Sequence, residues 1–243
     1  VEDPNIADRM VCKDSAFFVR AGEIVGFAGL MGAGRTELMR SIFGRSYGIY
    51  RGGTIKIKGR EVQLHSVHDA IQNGIAYVPE DRKTLGLNLL DTIRKTMVSA
   101  NLKGILRGIL LDLDREQQVS KEYRDLLNIK MSSINTGIVT LSGGKQQKVV
   151  LGKWMFTEPD VLLLDEPTRG IDVGAKYEIY RLIHALADQG KAVVLVSSEL
   201  PELLGMADRI YTLCEGVVTG CIDQKDADQE TLMRMMTTLS HNH

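Results

Sequence analysis

Two adjacent carboxylates, Asp165 and Glu166, follow four apolar residues in Val161-Leu162-Leu163-Leu164-Asp165-Glu166-Pro167-Thr168. A short apolar run bounded by Pro159 and Pro167 reads as a strand buried on both faces, as inside a parallel sheet. Such a strand delivers its last residues to the carboxyl edge, where open α/β sheets bind ligands. There one acid suits Mg2+ and the other suits orienting a water for attack on a phosphate. Taken alone, the octapeptide is also compatible with a core strand whose acids merely face solvent. A second constellation is Gly29-Leu30-Met31-Gly32-Ala33-Gly34-Arg35-Thr36, preceded by the apolar stretch 24–28 and followed by a helical pattern from Glu37 to Phe43 that Gly44 stops. Strand, glycine-rich loop and helix form the context of a P-loop. The glycines let backbone N–H groups close around phosphate oxygens, the helix start adds partial positive charge, and the Thr36 hydroxyl is placed to ligate Mg2+. Arg35 stands where the pattern GxxxxGK[ST] has Lys, and its planar fork is expected to suit the slot between phosphates less well than a compact ammonium. A third is Leu141-Ser142-Gly143-Gly144-Lys145-Gln146-Gln147-Lys148, which opens a helix with Ser142 as N-cap and two glycines that bare its first N–H groups, an arrangement suited to an anion.

The elements that must position these groups read as follows. Residues 15–19 form a candidate strand and 24–28 a more buried one. Residues 54–58 and 61–64 alternate about Gly59-Arg60 as a hairpin with one face in water. Ser66 and Asp69 stand at capping-box spacing over a short helix, 66–73. Residues 75–78 form a strand running into Pro79-Glu80-Asp81-Arg82. From 83 to 140 the pattern is helical, with an apolar stripe at Val119, Tyr123, Leu126 and Leu127 read as core packing. A long amphipathic helix over 173–189 follows the loop Arg169-Gly170-Ile171-Asp172, and Gly190 closes it. Residues 192–196 form the next buried strand, ending in Ser197-Ser198-Glu199. The rest is expected as a short helix (200–207), strands at 210–213 and 217–220, and a closing helix (228–238). His241-Asn242-His243 could chelate a metal, but frayed terminal histidines are the simpler reading.

At 243 residues the chain can bury one good core, with room for an inserted subdomain. Thirty basic against 31 acidic side chains leave a net charge of −1, with no basic excess to favour nucleic acid as the main partner. Cys12, Cys214 and Cys221 are widely spaced, so neither a disulfide framework nor a zinc site is indicated, and a reducing compartment fits. No run approaches 18 consecutive apolar residues and no signal-peptide pattern opens the chain. Val1-Glu2-Asp3-Pro4-Asn5 begins without Met and reads as a polar turn, as expected of a piece of a longer chain.

The ordered set of P-loop, helical insertion, LSGGKQQ, LLLDEPT and a strand ending in Ser-Ser-Glu resembles the nucleotide-binding domain of ABC transporters over nearly the whole chain. More narrowly, the runs from Ala28 to Glu37, from Val78 to Lys83 and from Glu166 to Lys176 resemble the second half of duplicated ATPase subunits in bacterial monosaccharide importers of the ribose, galactose and xylose type. The resemblance implies an α/β P-loop NTPase fold of RecA-like kind: a parallel core sheet and an antiparallel β subdomain in residues 1–82 and 156–243, with an inserted α-helical subdomain, 83–155. It also implies that two such domains sandwich two ATP molecules, each held by the P-loop of one and the LSGGK helix of the other.

Carried over by position, Gly29, Gly32, Ala33, Gly34, Arg35, Thr36 and Glu37 bind nucleotide, Thr36 and Asp165 hold Mg2+, and Glu166 is the catalytic carboxylate that polarises water. Ser142, Gly143 and Gly144 touch the opposite nucleotide, and Asp172 is the cross-interface loop acid. Three departures accompany the resemblance. Glu80 stands where the family usually has Gln, Ser198 where it has His, and Asp3 to Met10 lacks the aromatic residue that usually stacks on adenine. Lost stacking is worth about 1–3 kcal/mol, roughly ten- to a hundredfold in affinity. The expected partners are a second ATPase half, a transmembrane permease and, indirectly, a periplasmic sugar-binding protein, at the cytoplasmic face of the inner membrane. A non-catalytic regulatory module of the same assembly and a soluble ABC ATPase unconnected with transport are the competing readings.

Overall fold

The computed structural model describes residues 1–6 and 8–238, so His241-Asn242-His243 lies outside the described residues. In chain order the elements are β1 (Ile24–Gly29), α1 (Arg35–Ile42), β2 (Ile55–Ile57), β3 (Arg60–Val62), α2 (Val67–Gln72), β4 (Ile75–Val78), α3 (Ile93–Val98), β5 (Leu106–Arg107) and β6 (Leu110–Leu111). There follow α4 (Leu113–Leu126), α5 (Gly143–Met155), β7 (Val161–Asp165), α6 (Val173–Asp188), β8 (Ala192–Val196), α7 (Leu200–Met206), β9 (Arg209–Cys214), β10 (Val217–Asp223) and α8 (Gln229–Thr237). Two compact units result, one of Val1–Tyr77, Asp160–Glu166 and His184–His243, the other of Val78–Pro159 and Pro167–Ile183. The helical segment expected over 83–155 thus belongs to a unit that also takes in 78–82, 156–159 and 167–183.

The first unit is built on a six-stranded sheet in the order β10-β9-β1-β8-β7-β4. β1 pairs in parallel with β8 and β9, and β7 with β8, whereas β10 returns antiparallel to β9. Every residue of β1 and β8, and all of β7 but Val161, is buried, which is why these strands are apolar runs rather than alternating ones. The register aligns Phe27, Val196 and Asp165. The glycine loop, Ser197 and Glu166 therefore leave the sheet side by side at its carboxyl edge.

The strand expected at 15–19 does not form: the segment has no regular structure and no ladder partner. Side chains satisfy its backbone instead, with the Tyr211 hydroxyl near the Phe18 N–H (3.4 Å) and Arg209 Nη2 donating to the Phe18 carbonyl (2.6 Å). Arg209 also donates to both oxygens of Glu23 (2.6 and 3.1 Å) and to the Tyr211 hydroxyl (2.7 Å), and its guanidinium lies 4.0 Å from the Phe18 ring centroid. Replacing Arg209 with Met would leave Glu23 only the Arg20 N–H (2.7 Å) and a looser pair with the Arg20 guanidinium (3.5 Å), and would strip the Phe18 carbonyl and the Tyr211 hydroxyl of a donor, so a loss of about 2–4 kcal/mol is expected. Urea denaturation of the two chains checks it.

The hairpin of β2 and β3 is present, but its turn is Lys58-Gly59, not Gly59-Arg60. Both turn residues have positive φ (51° and 77°), as a tight hairpin matching strand twist requires. The capping box of α2 is formed as expected, with Ser66 accepting from the Asp69 N–H and Asp69 from the Ser66 N–H.

In the second unit, the span 83–140 is not wholly helical. It holds α3 and α4 but also the two-residue hairpin β5–β6. Val98, Ile105, Val119 and Phe156 form a buried cluster with Tyr123 against it. Val119 and Leu127 are buried as the stripe predicts, yet Leu126 is 61% exposed. α4 ends at Leu126, and the turn through its C-cap carries Leu127 inward instead.

Candidate functional site

In the first unit, residues 30–34 leave β1 and wrap back to α1. Gly32 and Gly34 have φ of 78° and 96°, the left-handed region open to glycine at little cost. A β-carbon on Gly34 would also lie 2.5 Å from the Val11 carbonyl oxygen, so this position is glycine for two reasons at once. Gly34 is the N-cap of α1 and supplies no side-chain acceptor, leaving the first-turn N–H groups open to an outside anion. Glu37 lies in that first turn, where a carboxylate complements the helix dipole. Gly29 is the last residue of β1, and the Ala33 N–H bonds the Leu30 carbonyl at 3.0 Å to close the loop.

Asp165 ends β7 fully buried. Its Oδ2 accepts from the Tyr77 hydroxyl at 2.9 Å, while Oδ1 is buried without a well-formed hydrogen bond. Burial pushes its carboxyl up to about 6; the nearby Thr36 and Tyr77 hydroxyls and the Arg35 charge oppose that rise, and Glu166 adds to it. An orphaned carboxylate oxygen close to a hydroxyl is a donor set of hard oxygens, which fits Mg2+. The glycine loop fits phosphate, because it runs into a helix start with no side-chain cap and Gly34 has no room for a β-carbon.

Glu166 turns out of the strand in a left-handed conformation (φ 47°), worth on the order of 1 kcal/mol of strain for a side-chain-bearing residue and typical of positions held for function. Its N–H bonds the Val196 carbonyl (2.9 Å). Arg35 Nη2 stands 3.5 Å from Glu166 Oε1, Arg35 Nη1 donates to the Ser197 carbonyl (2.8 Å), and the Ser198 hydroxyl donates to Glu166 Oε2 (3.1 Å). Arg35, Thr36, Asp165, Glu166 and Ser198 are thus one cluster. Tyr77 belongs to it and Val11 walls the glycine loop at Gly34; neither was picked out from the sequence. A polar aromatic ending a strand beside β7 is the signal available for Tyr77; Val11 contributes only a backbone carbonyl, which no side-chain pattern reveals.

The second unit gathers Glu80, Ser142, Gly143, Gly144 and Asp172. Ser142 is the N-cap of α5 in extended conformation and makes no side-chain cap bond, so its hydroxyl and the first N–H groups are left for a ligand. A β-carbon on Gly144 would lie 2.6 Å from the Ala175 β-carbon, which explains the second glycine by helix packing. Asp172 is exposed and caps α6, its Oδ1 accepting from the Ala175 N–H at 3.0 Å. Glu80 is ion-paired with Arg169. Beside the start of α5 lies a cavity of about 280 Å3, whose walls include Ser142, Gly144, Asp172 and the lysines Lys130, Lys145 and Lys148. Lys148 is held by Glu178 (2.7 Å), but Lys130 and Lys145 leave that wall basic. Among the described residues no helix is long and apolar enough to cross a membrane.

The chain is 53% identical over 98% of its length to the L-arabinose transport ATP-binding protein AraG of Geobacillus stearothermophilus, of which it covers 46%. It is 49% identical over 98% of its length to the xylose import ATP-binding protein XylG of Moorella thermoacetica, covering 47% of that protein. To the ribose import ATP-binding protein RbsA of Bacillus cereus it is 49% identical over 91%, covering 44%. The chain therefore spans about half the length of the curated relatives it matches. Among solved structures, a dimeric ATP-binding cassette in a post-hydrolysis state bound to ADP and Pi superposes with a TM-score of 0.75 at 20% identity, over 92% of this chain and 95% of that one, a likeness of fold. The sequence profile described as ABC transporter matches residues 12–169. With the glycine loop, the Asp-Glu strand and the signature helix each in their places, the chain belongs to the ABC transporter family and has its P-loop NTPase fold.

Proposed function

We propose that this chain is the C-terminal ATP-binding half of the energising subunit of a bacterial monosaccharide importer, working at the cytoplasmic face of the inner membrane beneath a transmembrane permease. The observation that carries the reading is the buried, unpartnered Oδ1 of Asp165 near Thr36, beside a glycine loop with open N–H groups. The N–H groups of Gly32, Gly34, Arg35 and Thr36 would grip phosphate oxygens, and Asp165 with Thr36 would hold Mg2+. The metal held there would offset the charge that develops on the γ-phosphoryl group during transfer. Glu166 accepts a hydrogen bond from the attacking water and orients it. Ser142, Gly143 and Gly144 contact the nucleotide of the partner half, with Asp172 in the loop that crosses the pair. Relatives named for arabinose, xylose and ribose transport support a pentose or similar monosaccharide as cargo.

The chain's own site turns ATP over poorly and its signature helix completes the partner's site. Both oxygens of Glu166 are engaged, one by Arg35 and one by Ser198, so the carboxylate meets a water only after giving up a partner. The same observation favours the second reading, a non-catalytic module that regulates its partner. Glu166→Gln separates the two. As an active half, the chain should bind Mg–ATP and lose its slow turnover by about 10²-fold or more in the variant. As a pure module, binding and residual turnover are unchanged. Hydrolysis by the isolated chain as fast as by a complete two-domain sandwich would overturn the asymmetric picture.

A further inference from the structure

Two residues after Glu80, Arg82 begins a π-helical turn over Arg82–Gly86. Asp81 is the N-cap of that turn and is occupied by it, accepting from the Lys83 and Thr84 N–H groups and from the Thr84 hydroxyl. Glu80 is taken by Arg169. Arg82 thus has no carboxylate of its own among the described residues. Its Nη1 donates to the Arg169 carbonyl (3.1 Å), its Nη2 lies 2.7 Å from where a β-carbon on Gly143 would stand, and its Nε is buried without a hydrogen-bond partner.

The guanidinium therefore sits on the first turn of α5. That end of a helix carries partial positive charge and favours anions. A second positive charge there, with Nη2 against Gly143 and no carboxylate beside it among the described residues, is unfavourable until an anion joins it. With Lys148 paired to Glu178, Lys130 and Lys145 face the single carboxylate of Asp172 in the neighbouring cavity wall and leave it one positive charge in excess, and the Ser142 side chain makes no cap bond. The matching chemistry is a polyphosphate, which a planar guanidinium binds through paired N–H groups. Gly143 does not have a positive φ, and a β-carbon there would displace the Arg82 guanidinium from this position.

Resting on the reading that α5 completes the partner half's site, we infer that Arg82 supplies a charged contact to the phosphates of the nucleotide held there. The test uses the intact subunit carrying both halves and compares ATP turnover of Ser142→Ala, Arg82→Ala and Arg82→Lys, with melting temperatures alongside. Turnover should fall roughly a hundredfold in Arg82→Ala, the scale of one lost charge-stabilising donor. Arg82→Lys should recover part of it, and millimolar guanidinium should restore Arg82→Ala but not Ser142→Ala. Affinity of this chain's own glycine loop for a non-hydrolysable ATP analogue with Mg2+ should not change. If Ser142→Ala lowers turnover and Arg82→Ala does not, the inference fails while the paired-site reading stands. If Ser142→Ala has no effect, that reading falls and takes the inference with it. Loss in Arg82→Ala that tracks a lower melting temperature and resists both Lys and guanidinium makes Arg82 a structural residue only.

Discussion

Replacing Asp165 with Asn is expected to raise the melting temperature of the metal-free chain while abolishing its magnesium-dependent nucleotide binding. The carboxyl is fully buried and burial lifts it to about 6, from about 3.9 in an unfolded chain. Above pH 6 the folded protein must keep a charge that its surroundings disfavour, a penalty on the order of 1–3 kcal/mol. As pH falls from 6 towards 4, the folded state takes up the proton before the unfolded state does. The penalty fades through that window and is gone below it. Asn removes the charge, keeps the shape and still accepts from Tyr77. The variant should therefore be more stable by roughly 2–8 °C at pH 7.5 in chelator, with the gain shrinking at pH 5. Calorimetry at the two pH values reads the stability arm and titration with an ATP analogue, with and without Mg2+, reads the binding arm. A variant that melts lower at pH 7.5 would show that the carboxylate is better compensated than its orphaned Oδ1 implies.

Arg35→Lys is expected to increase turnover at this chain's own site by about ten- to a hundredfold, at or below the low end of what one orienting group is worth because Ser198 still holds Glu166. Arg35 bridges the Ser197 carbonyl and Glu166 with two arms of one guanidinium. A lysine has a single terminal nitrogen and cannot hold both. It frees Oε1 of Glu166 for a water and offers the phosphates a compact charge. Ser198 still occupies Oε2, so adding Ser198→His, which replaces that donor by the family's usual residue, should raise turnover further. Single-turnover hydrolysis in the two variants, each with and without Glu166→Gln, checks the assignment. A fall in both affinity and rate in Arg35→Lys would mean that the guanidinium already serves the phosphates.

The chemistry was legible in the sequence wherever it depends on residue type at fixed local spacing. Strand, glycine loop and helix around Gly32–Thr36, the apolar run ending in Asp165-Glu166, and Ser142-Gly143-Gly144 opening α5 are all local patterns, since a backbone loop or helix start is made by neighbours in the chain. The capping box of α2 is legible for the same reason. Expectations failed where long-range partners decide. Residues 15–19 have the composition of a strand, yet the Arg209 side chain, 191 residues away from Phe18, satisfies their backbone in place of a ladder. Leu126 fits the apolar stripe of α4 but lies where the helix ends and the chain turns.

By itself the sequence made a P-loop NTPase architecture legible, because a glycine loop, a buried strand and a helix start are short segments whose geometry their own residues dictate; the ABC kind and the expected nucleotide contacts came from the resemblance that those segments carry in their order. Only the tertiary structure decided how those residues are engaged. It brought Arg35 and Ser198 onto Glu166, left one oxygen of Asp165 bare beneath Tyr77, and set Arg82 against Gly143, because hydrogen bonds and charge pairs act over a few ångströms in space whatever their separation along the chain.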